Sequence, residues 1–209
     1  MSKYLYILDA GHGGLDHNGK YVTAGKRSPK FDDGSVLYEG VNNRDNVARI
    51  LTRLKQEGLD AVDIVSDWND VSLTTRVSRA NKLAKTRRCV YISIHSDANG
   101  NGTEWNSASG ISVFTSVGRT LSDAFATCII NELQDNFKDS VKWRFDSSDG
   151  DKDKEAHFYV LKKTICPAVL VEAGFHTNKA EATRMLTDEW KDKLTNSIVE
   201  ACKIWEDIL

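Results

Sequence analysis

Apolar and amphipathic stretches alternate along the chain, a pattern typical of strands alternating with helices. Short apolar runs predict strands at residues 4–8, 61–65, 90–94, 110–115, 158–161 and 168–171. Apolar residues spaced three or four positions apart predict helices at 41–56, 74–85, 121–137, 180–186 and 189–204. Because parallel strands need crossover connections, this order predicts α/β architecture: a mostly parallel twisted sheet with helices on both faces. We expect a single domain over residues 1–209.

Two polar segments interrupt this pattern. Residues 138–155 are rich in Asp, Ser and Lys, which predicts an exposed loop. Residues 15–38 are polar and rich in glycine, and they directly follow the turn in LDAGHGG, where we expect Gly11, Gly13 and Gly14 to supply backbone angles that other residues reach only with strain. Loops of this length inside a compact domain are usually functional or disordered. The position of residues 15–38 directly after this turn therefore favours a contribution to a functional site.

Composition and charge exclude several classes of protein. With 40% hydrophobic and 28% charged residues, the chain resembles an ordinary globular protein. Its net charge of −2 argues against a broad electrostatic contact with nucleic acid, and no apolar run is long enough to span a membrane. The four cysteines form no CxxC pair, which predicts reduced thiols rather than a thiolate metal site. The N-terminus lacks the zones of a secretion signal, so we expect synthesis in the cytoplasm.

Titratable residues collect where an α/β sheet binds its ligands, outside the carboxyl ends of the strands. His12 follows the first predicted strand, His95 the third, and Glu172 the strand at 168–171, while Glu39 precedes the first helix. Two histidines and a carboxylate, with one position open for water, are the ligands of a catalytic zinc. A second carboxylate could move a proton from that water to a leaving nitrogen. The pattern therefore predicts one zinc per chain and hydrolysis of an amide.

Two other chemistries are disfavoured by the motifs that are present. The turn GHGGLD does not fit GxGxxG, and the chain holds no GxxxxGK[ST] motif, so a nucleotide site is not indicated. No GxSxG turn occurs, which argues against a serine hydrolase.

Five ordered motifs resemble those of the zinc-dependent N-acetylmuramoyl-L-alanine amidases of the Amidase_3 family. They are LDAGHGG, YEGVNN, LTTRVSRAN, SIHSDA and VLKKTICPAVLVEAGFHTNKAEATRML, and they cover almost the whole length. The resemblance implies that His12, Glu39 and His95 hold zinc and that Glu172 is the catalytic acid and base. It also implies hydrolysis of the amide between the lactyl group of N-acetylmuramic acid and L-alanine of the peptidoglycan stem peptide. Asp97 departs from the family pattern, in which Asn is common at this position.

The sequence names only candidates for substrate contact. Arg27, with Lys26 and Lys30 beside it, could meet the carboxylates of the stem peptide, and His176 lies close to Glu172 in the chain. We expect Arg76 and Arg79 to serve the structure through internal ion pairs. Peptidoglycan is the expected partner, with no nucleic acid and no membrane insertion. Relatives that need an activator carry a helical insertion, and since no such insertion is visible here, we expect an open monomeric enzyme.

Several alternatives stay open from the residues alone. The chain resembles a phage endolysin that reaches the cell wall after release, and it is equally compatible with a catalytic domain of a longer secreted protein. Another zinc amide hydrolase would share the metal site and differ in substrate. An inactive peptidoglycan-binding module is disfavoured, because binding alone does not require both histidines and both glutamates.

Overall fold

The computed structural model describes residues 2–148 and 150–208. The strands are β1 (Leu5–Ala10), β2 (Asp60–Asp63), β3 (Cys89–Asp97), β4 (Ser112–Thr115), β5 (Lys154–Glu155) and β6 (Ala168–Phe175). Within the described residues they form one six-stranded sheet in the order β2-β1-β3-β6-β4-β5. Strands β2, β1, β3 and β6 run parallel, whereas β4 is antiparallel to β6 and parallel to β5. The predicted α/β architecture with a mostly parallel sheet is confirmed.

Helices connect the strands and cover the sheet. They are α1 (Glu39–Gln56), α2 (Leu73–Ala84), α3 (Leu121–Phe137), α4 (Tyr159–Lys163), α5 (Lys179–Met185) and α6 (Asp188–Ile208). The chain leaves β1 for β2 on one side and returns past β1 to β3 on the other. Because parallel crossovers are right-handed, α1 and α2 lie on opposite faces of the sheet. Helices α3 and α6 pack together, with α6 also on α1, while α2 packs on α4.

One predicted strand is wrong: residues 158–161 begin the short helix α4. Phe158 and Tyr159 are exposed, whereas the next two residues, Val160 and Leu161, are both buried. Two exposed residues followed by two buried ones do not fit the alternation of a half-buried strand, but they suit one turn of helix. A four-residue apolar run does not distinguish these two structures by itself.

The central strands are buried along nearly their whole length, as parallel strands covered on both faces require. Residues Ile7, Leu8 and Ile92 are completely inaccessible to solvent. The interruptions in this burial lie near the carboxyl ends, where His95 in β3 and Glu172 in β6 are partly exposed. The sheet therefore presents its polar side chains at the edge where the sequence predicted a site.

The remaining expectations about composition agree with the structure. All four cysteines are free thiols; Cys89, Cys128 and Cys202 are buried, and Cys166 is partly exposed. In the described part of the chain, no helix combines the length and apolar character needed to cross a membrane.

The segment at 138–155 is less exposed than predicted, because Asp153 lies inside the protein. This residue is 2% exposed, and its Oδ2 accepts a hydrogen bond of 2.6 Å from the Thr115 hydroxyl. Its Oδ1 is buried without a hydrogen-bond partner among the described residues. Burial raises the pKa of Asp153 to about 7, and the nearby carboxyls of Asp151 and Asp123 act in the same direction.

The raised pKa of Asp153 predicts a loss of stability with rising pH. Between the unfolded value of 3.8 and about 7, the folded state binds a proton that the unfolded state releases. The free energy of unfolding should therefore fall across this range, by at most about 4 kcal/mol. Urea unfolding at pH 5 and pH 8 measures the difference. Asp153→Asn should flatten this dependence, whereas the exposed Asp139→Asn should not; equal slopes in all three proteins would contradict the assignment.

Candidate metal centre and catalytic cleft

In the turn after β1, the left-handed backbone conformation belongs to His12 and not to the glycines beside it. Gly11, Gly13 and Gly14 were expected to supply backbone angles that other residues avoid, yet none of them has a positive φ. The residue with positive φ is His12 itself, at 65°. Gly11 is needed for space instead, because a Cβ there would lie 2.2 Å from Cε1 of His95. The absence of a side chain at Gly11 thus lets the His95 ring pack against the turn, where it lies 5.0 Å from the ring of His12.

Two arginines hold the strained backbone of His12. Its carbonyl oxygen accepts hydrogen bonds from Arg44 Nη1 at 2.8 Å and from Arg76 Nη2 at 3.1 Å. Arg76 Nη1 also donates to the carbonyl oxygen of Ala10, at 2.6 Å. Left-handed backbone at a non-glycine residue persists only where the surroundings fix it, and charge-assisted hydrogen bonds provide that restraint.

A buried ion pair anchors this restraint to the sheet. Arg76 and Asp9, each no more than 2% exposed, are joined through Nη1 and Oδ1. The other carboxylate oxygen of Asp9 accepts hydrogen bonds from the Tyr91 hydroxyl at 2.6 Å and the Ser93 hydroxyl at 2.7 Å. The expectation that Arg76 serves the structure through an internal pair is confirmed. Asp9, the acidic residue of LDAGHGG, is therefore a support for the site.

Breaking this buried pair should be costly. Arg76→Met would leave the Asp9 carboxylate buried without its cation, and we expect a loss of about 3–5 kcal/mol in the free energy of unfolding. The matched control is Arg87→Met, which removes the exposed pair between Arg87 and Asp60 and should cost less than about 1 kcal/mol. Urea denaturation of the variants measures both. Equal losses of unfolding free energy in the two variants would show that the buried pair contributes no more to stability than the exposed one.

Glu39 begins α1 with its side chain buried between the two histidines. Its Oε1 lies 3.2 Å from His12 Nε2 and 3.2 Å from His95 Nδ1, and it accepts the backbone N–H of Ser96 at 3.2 Å. Its Oε2 is buried without a hydrogen-bond partner among the described residues. Gly40 allows this approach, because a Cβ there would lie 1.9 Å from the Gly13 carbonyl oxygen.

His12, Glu39 and His95 lie close enough that the neighbouring charges shift the pKa values of Glu39 and His95. Burial alone would raise the pKa of Glu39, but hydrogen bonds from His12 and His95 outweigh it and hold this pKa well below its usual range. Burial would lower the pKa of His95, and the carboxylates of Glu39 and Glu172 more than compensate, so that it is raised. The cluster is therefore a carboxylate anion that two imidazole nitrogens face from perpendicular rings.

This donor set fits a divalent metal ion such as zinc. One atom each from His12, Glu39 and His95 lies within 4.8 Å of the others. A tetrahedral zinc with bonds of 2.0–2.1 Å separates neighbouring ligand atoms by about 3.3 Å, which agrees with the 3.2 Å from Glu39 Oε1 to each ring nitrogen. Two imidazoles, one carboxylate and a further unpartnered carboxylate oxygen in a buried setting together favour a cation at this point.

Glu172 faces the same space from the neighbouring strand. In the register of β3 and β6 it lies directly opposite His95. Its Oε2 is buried and has no hydrogen-bond partner among the described residues. Burial raises the pKa of this carboxyl to about 8. The charges of Glu39 and Asp97 also raise this pKa, whereas those of His95 and Lys26 lower it. A carboxyl with this environment can hold a proton at neutral pH.

His12, His95 and Glu172 border one cleft of about 600 Å³, and the buried Glu39 contacts the two histidines. One part of its wall is polar and includes His12, Lys26, His95 and Glu172, and the other is apolar and includes Val71, Leu73, Phe158, Tyr159 and Val160. The structure thus brings together the four residues that the sequence singled out for chemistry.

The two candidates for substrate contact lie elsewhere. Arg27 is half-buried and donates to the carbonyl oxygen of Ser28 at 3.2 Å, and it does not line the cleft. His176 is 1% exposed and sits behind Glu39, with Nδ1 at 2.9 Å from the Ser96 hydroxyl. Burial lowers its pKa, which keeps the ring neutral. Sequence reasoning missed the roles of Arg44 and Ser96, because no motif links them to the residues that they support.

The segment that contains the site residues matches a known protein family. The family model described as N-acetylmuramoyl-L-alanine amidase matches residues 7–203. The chain belongs to the Amidase_3 family. The matched residues 7–203 of the chain include all four site residues and all five motifs identified in the sequence.

Known proteins resemble the chain in sequence or in fold. LytC, an N-acetylmuramoyl-L-alanine amidase of Bacillus subtilis, is 28% identical over 195 residues, which are 92% of this chain and 33% of LytC. The uncharacterized protein YqiI of the same organism is 27% identical over 208 residues, 98% of this chain and 85% of YqiI. The crystal structure of an N-acetylmuramoyl-L-alanine amidase from Clostridium difficile 630 superposes with a TM-score of 0.79 at 26% identity, covering 100% and 99% of the two chains. The chain thus spans about a third of LytC and nearly the whole of that structure.

Proposed function

We propose that the chain is a zinc-dependent hydrolase of the amide between the lactyl group of N-acetylmuramic acid and L-alanine in peptidoglycan. One observation carries the proposal: the imidazoles of His12 and His95 converge on the buried Glu39, and both histidines line a cleft that Glu172 also lines. Membership of the Amidase_3 family supports the substrate class. In this proposal the chain acts as one catalytic domain.

The residues divide into a metal-holding set and a proton-transferring group. His12, Glu39 and His95 would hold the zinc. When bound, zinc polarises the scissile carbonyl and lowers the pKa of a water molecule. Glu172 accepts the proton of the attacking water and delivers it to the L-alanine nitrogen as the C–N bond breaks. Its carboxyl suits this transfer because it lies opposite His95 at the cleft and its Oε2 has no hydrogen-bond partner among the described residues.

A second layer of contacts orients the metal-holding set. The Ser96 N–H donates to Glu39 Oε1, and the Ser96 hydroxyl lies 2.9 Å from His176 Nδ1. The imidazole of His176 comes within 3.9 Å of Glu39 Oε2. We propose that His176 positions the carboxylate of Glu39 and does not touch substrate. Such outer contacts normally tune metal affinity.

Digestion of purified peptidoglycan by the chain alone tests the function. Mass spectrometry should find intact stem peptides with free L-alanine amino termini, and a chelator should abolish their release until zinc is restored. Because the cleft opens to solvent beside the exposed Leu73 and Phe158, we expect no activator to be required. Cleavage at another bond would replace the proposed substrate bond, and binding without cleavage would overturn the assignment as an enzyme.

A further inference from the structure

The backbone at Lys26 is tied directly to the metal-holding set. Its carbonyl oxygen accepts the backbone N–H of Glu39 at 3.0 Å. Two residues further along, the Ser28 N–H donates to the Leu37 carbonyl oxygen at 2.8 Å, and the Ser28 hydroxyl accepts the Leu37 N–H at 2.9 Å. Residues 26–28 therefore run alongside 37–39 and lead into α1. The position of Lys26 is coupled to that of Glu39.

A second loop supports this segment from the other side. Gly102 has a φ of 73°, and a Cβ at this residue would lie 2.9 Å from the Arg27 carbonyl oxygen, so the two backbones are in close contact. The Trp105 indole N–H donates to the Lys30 carbonyl oxygen at 3.2 Å, and its ring lies 5.0 Å from that of Phe31. Contacts on both sides hold the polar segment in place at the edge of the cleft.

The side chain of Lys26 is a cation at the catalytic cleft, and no residue that the structure describes pairs with it. It lines the cleft together with His12, His95 and Glu172. Some lysines of the chain do have acidic partners: Lys179 Nζ lies 2.8 Å from Asp32, and Lys191 Nζ lies 2.6 Å from Asp45. Within the described residues, no acidic side chain lies at ion-pair distance from the Lys26 ammonium. A positioned and unpaired ammonium at a cleft is suited to an anionic ligand.

The proposed substrate carries an anion at a matching distance. In the stem peptide, L-alanine is followed by D-glutamate linked through its γ-carboxyl group, so the α-carboxylate of this second residue projects from the chain. Two extended residues span about 7 Å, which makes this group the nearest carboxylate to the scissile nitrogen on the peptide side. A lysine side chain on a backbone next to Glu39 can reach a group at this distance.

We propose that Lys26 forms a subsite for the α-carboxylate of the second stem residue, so that the enzyme prefers stems with a free carboxylate to stems with a carboxamide. This inference rests on the proposed amidase function. Arg27, the neighbouring candidate, lacks the geometry because it does not line the cleft. The apolar wall at Leu73 and Phe158 then remains for the other half of the substrate.

Two defined muropeptides test the subsite. They are N-acetylmuramoyl-L-alanyl-D-isoglutamate and the same compound with D-isoglutamine, which differ only in the carboxylate. The wild-type chain loaded with zinc should cleave the first with a kcat/KM about tenfold higher, mainly through KM, and salt should reduce the preference. Lys26→Gln should abolish the preference, whereas Lys30→Gln, which changes an exposed lysine outside the cleft, should retain it. For a muropeptide that is not turned over, its inhibition constant against peptidoglycan digestion replaces KM.

The outcomes separate this inference from the function on which it rests. Equal kcat/KM values for the two muropeptides in the wild-type chain would overturn the subsite while leaving the amidase intact. An equal fall on both muropeptides in Lys26→Gln would also overturn it, because Lys26 would then act through Glu172 instead of through the substrate carboxylate. Failure of the wild-type chain to cleave whole peptidoglycan would reject the proposed function itself.

Discussion

His95→Ala is expected to abolish peptidoglycan hydrolysis together with zinc binding. The variant removes one of two imidazoles that face Glu39 Oε1 at 3.2 Å, leaving His12 and a carboxylate. Loss of an outer contact to a metal ligand typically costs 10–100-fold in affinity, so loss of a ligand should exceed about a hundredfold. Zinc content after dialysis and digestion of peptidoglycan should therefore fall together.

The control for His95→Ala is a histidine outside the cleft. His17 is exposed, and its ring lies 6.2 Å from that of Trp68. His17→Ala should keep one zinc per chain and the wild-type rate of digestion. Circular dichroism should show the same fold in both variants, because neither histidine belongs to the hydrophobic core. A His95→Ala protein that retains stoichiometric zinc would contradict the metal centre.

The residues of the site were predictable because they follow strands with a strong sequence signal. The apolar runs of β1, β3 and β6 are continuous; His12 lies just beyond β1, and His95 and Glu172 follow the apolar runs in the second halves of β3 and β6. In an α/β sheet these ends meet at one edge, so residues far apart in the chain are brought together. Glu39 was found by its place at the start of a clearly amphipathic helix.

What the sequence could not supply are contacts set by loops and by distant segments. Arg44 supports His12 across 32 positions, and no local pattern connects them. Lys26 and Arg27 are adjacent basic residues, and which of them faces the cleft depends on how residues 26–28 run alongside 37–39. Neighbouring side chains of an extended segment point to opposite sides, so a shift of one residue would exchange their roles.

For His12 and His176, the sequence identified the residue but not its backbone conformation or its contacts. The glycines around His12 suggested that they carry the unusual backbone angle, and a sequence does not reveal that the histidine carries it instead. His176 lies four residues after Glu172, but β6 ends at Phe175, and the turn that begins at His176 buries this ring beside Glu39. Proximity to Glu172 in the chain therefore did not place this ring among the residues that line the cleft.

Glu172→Gln is expected to lower turnover by about 10²–10⁴-fold while zinc stays bound. Glutamine keeps the shape of the side chain and removes its ability to accept and release a proton. His12, Glu39 and His95 are untouched, so the zinc content should equal that of the wild-type chain. The loss should appear in kcat rather than in KM, because the proton transfers to the leaving L-alanine nitrogen belong to the chemical step.

Asp97→Asn is the matched control for Glu172→Gln, since it makes the same change from carboxylate to amide beside the cleft. The charge of Asp97 also raises the pKa of Glu172, yet its Oδ1 accepts the Ala98 N–H at 2.7 Å, and the residue does not line the cleft. We expect this variant to keep most of its activity. If both variants lost turnover equally, the electrostatic environment rather than proton transfer by Glu172 would limit the reaction. If Glu172→Gln alone lost turnover with zinc retained, the two glutamates would have separate roles, Glu39 in holding the metal and Glu172 in moving the proton.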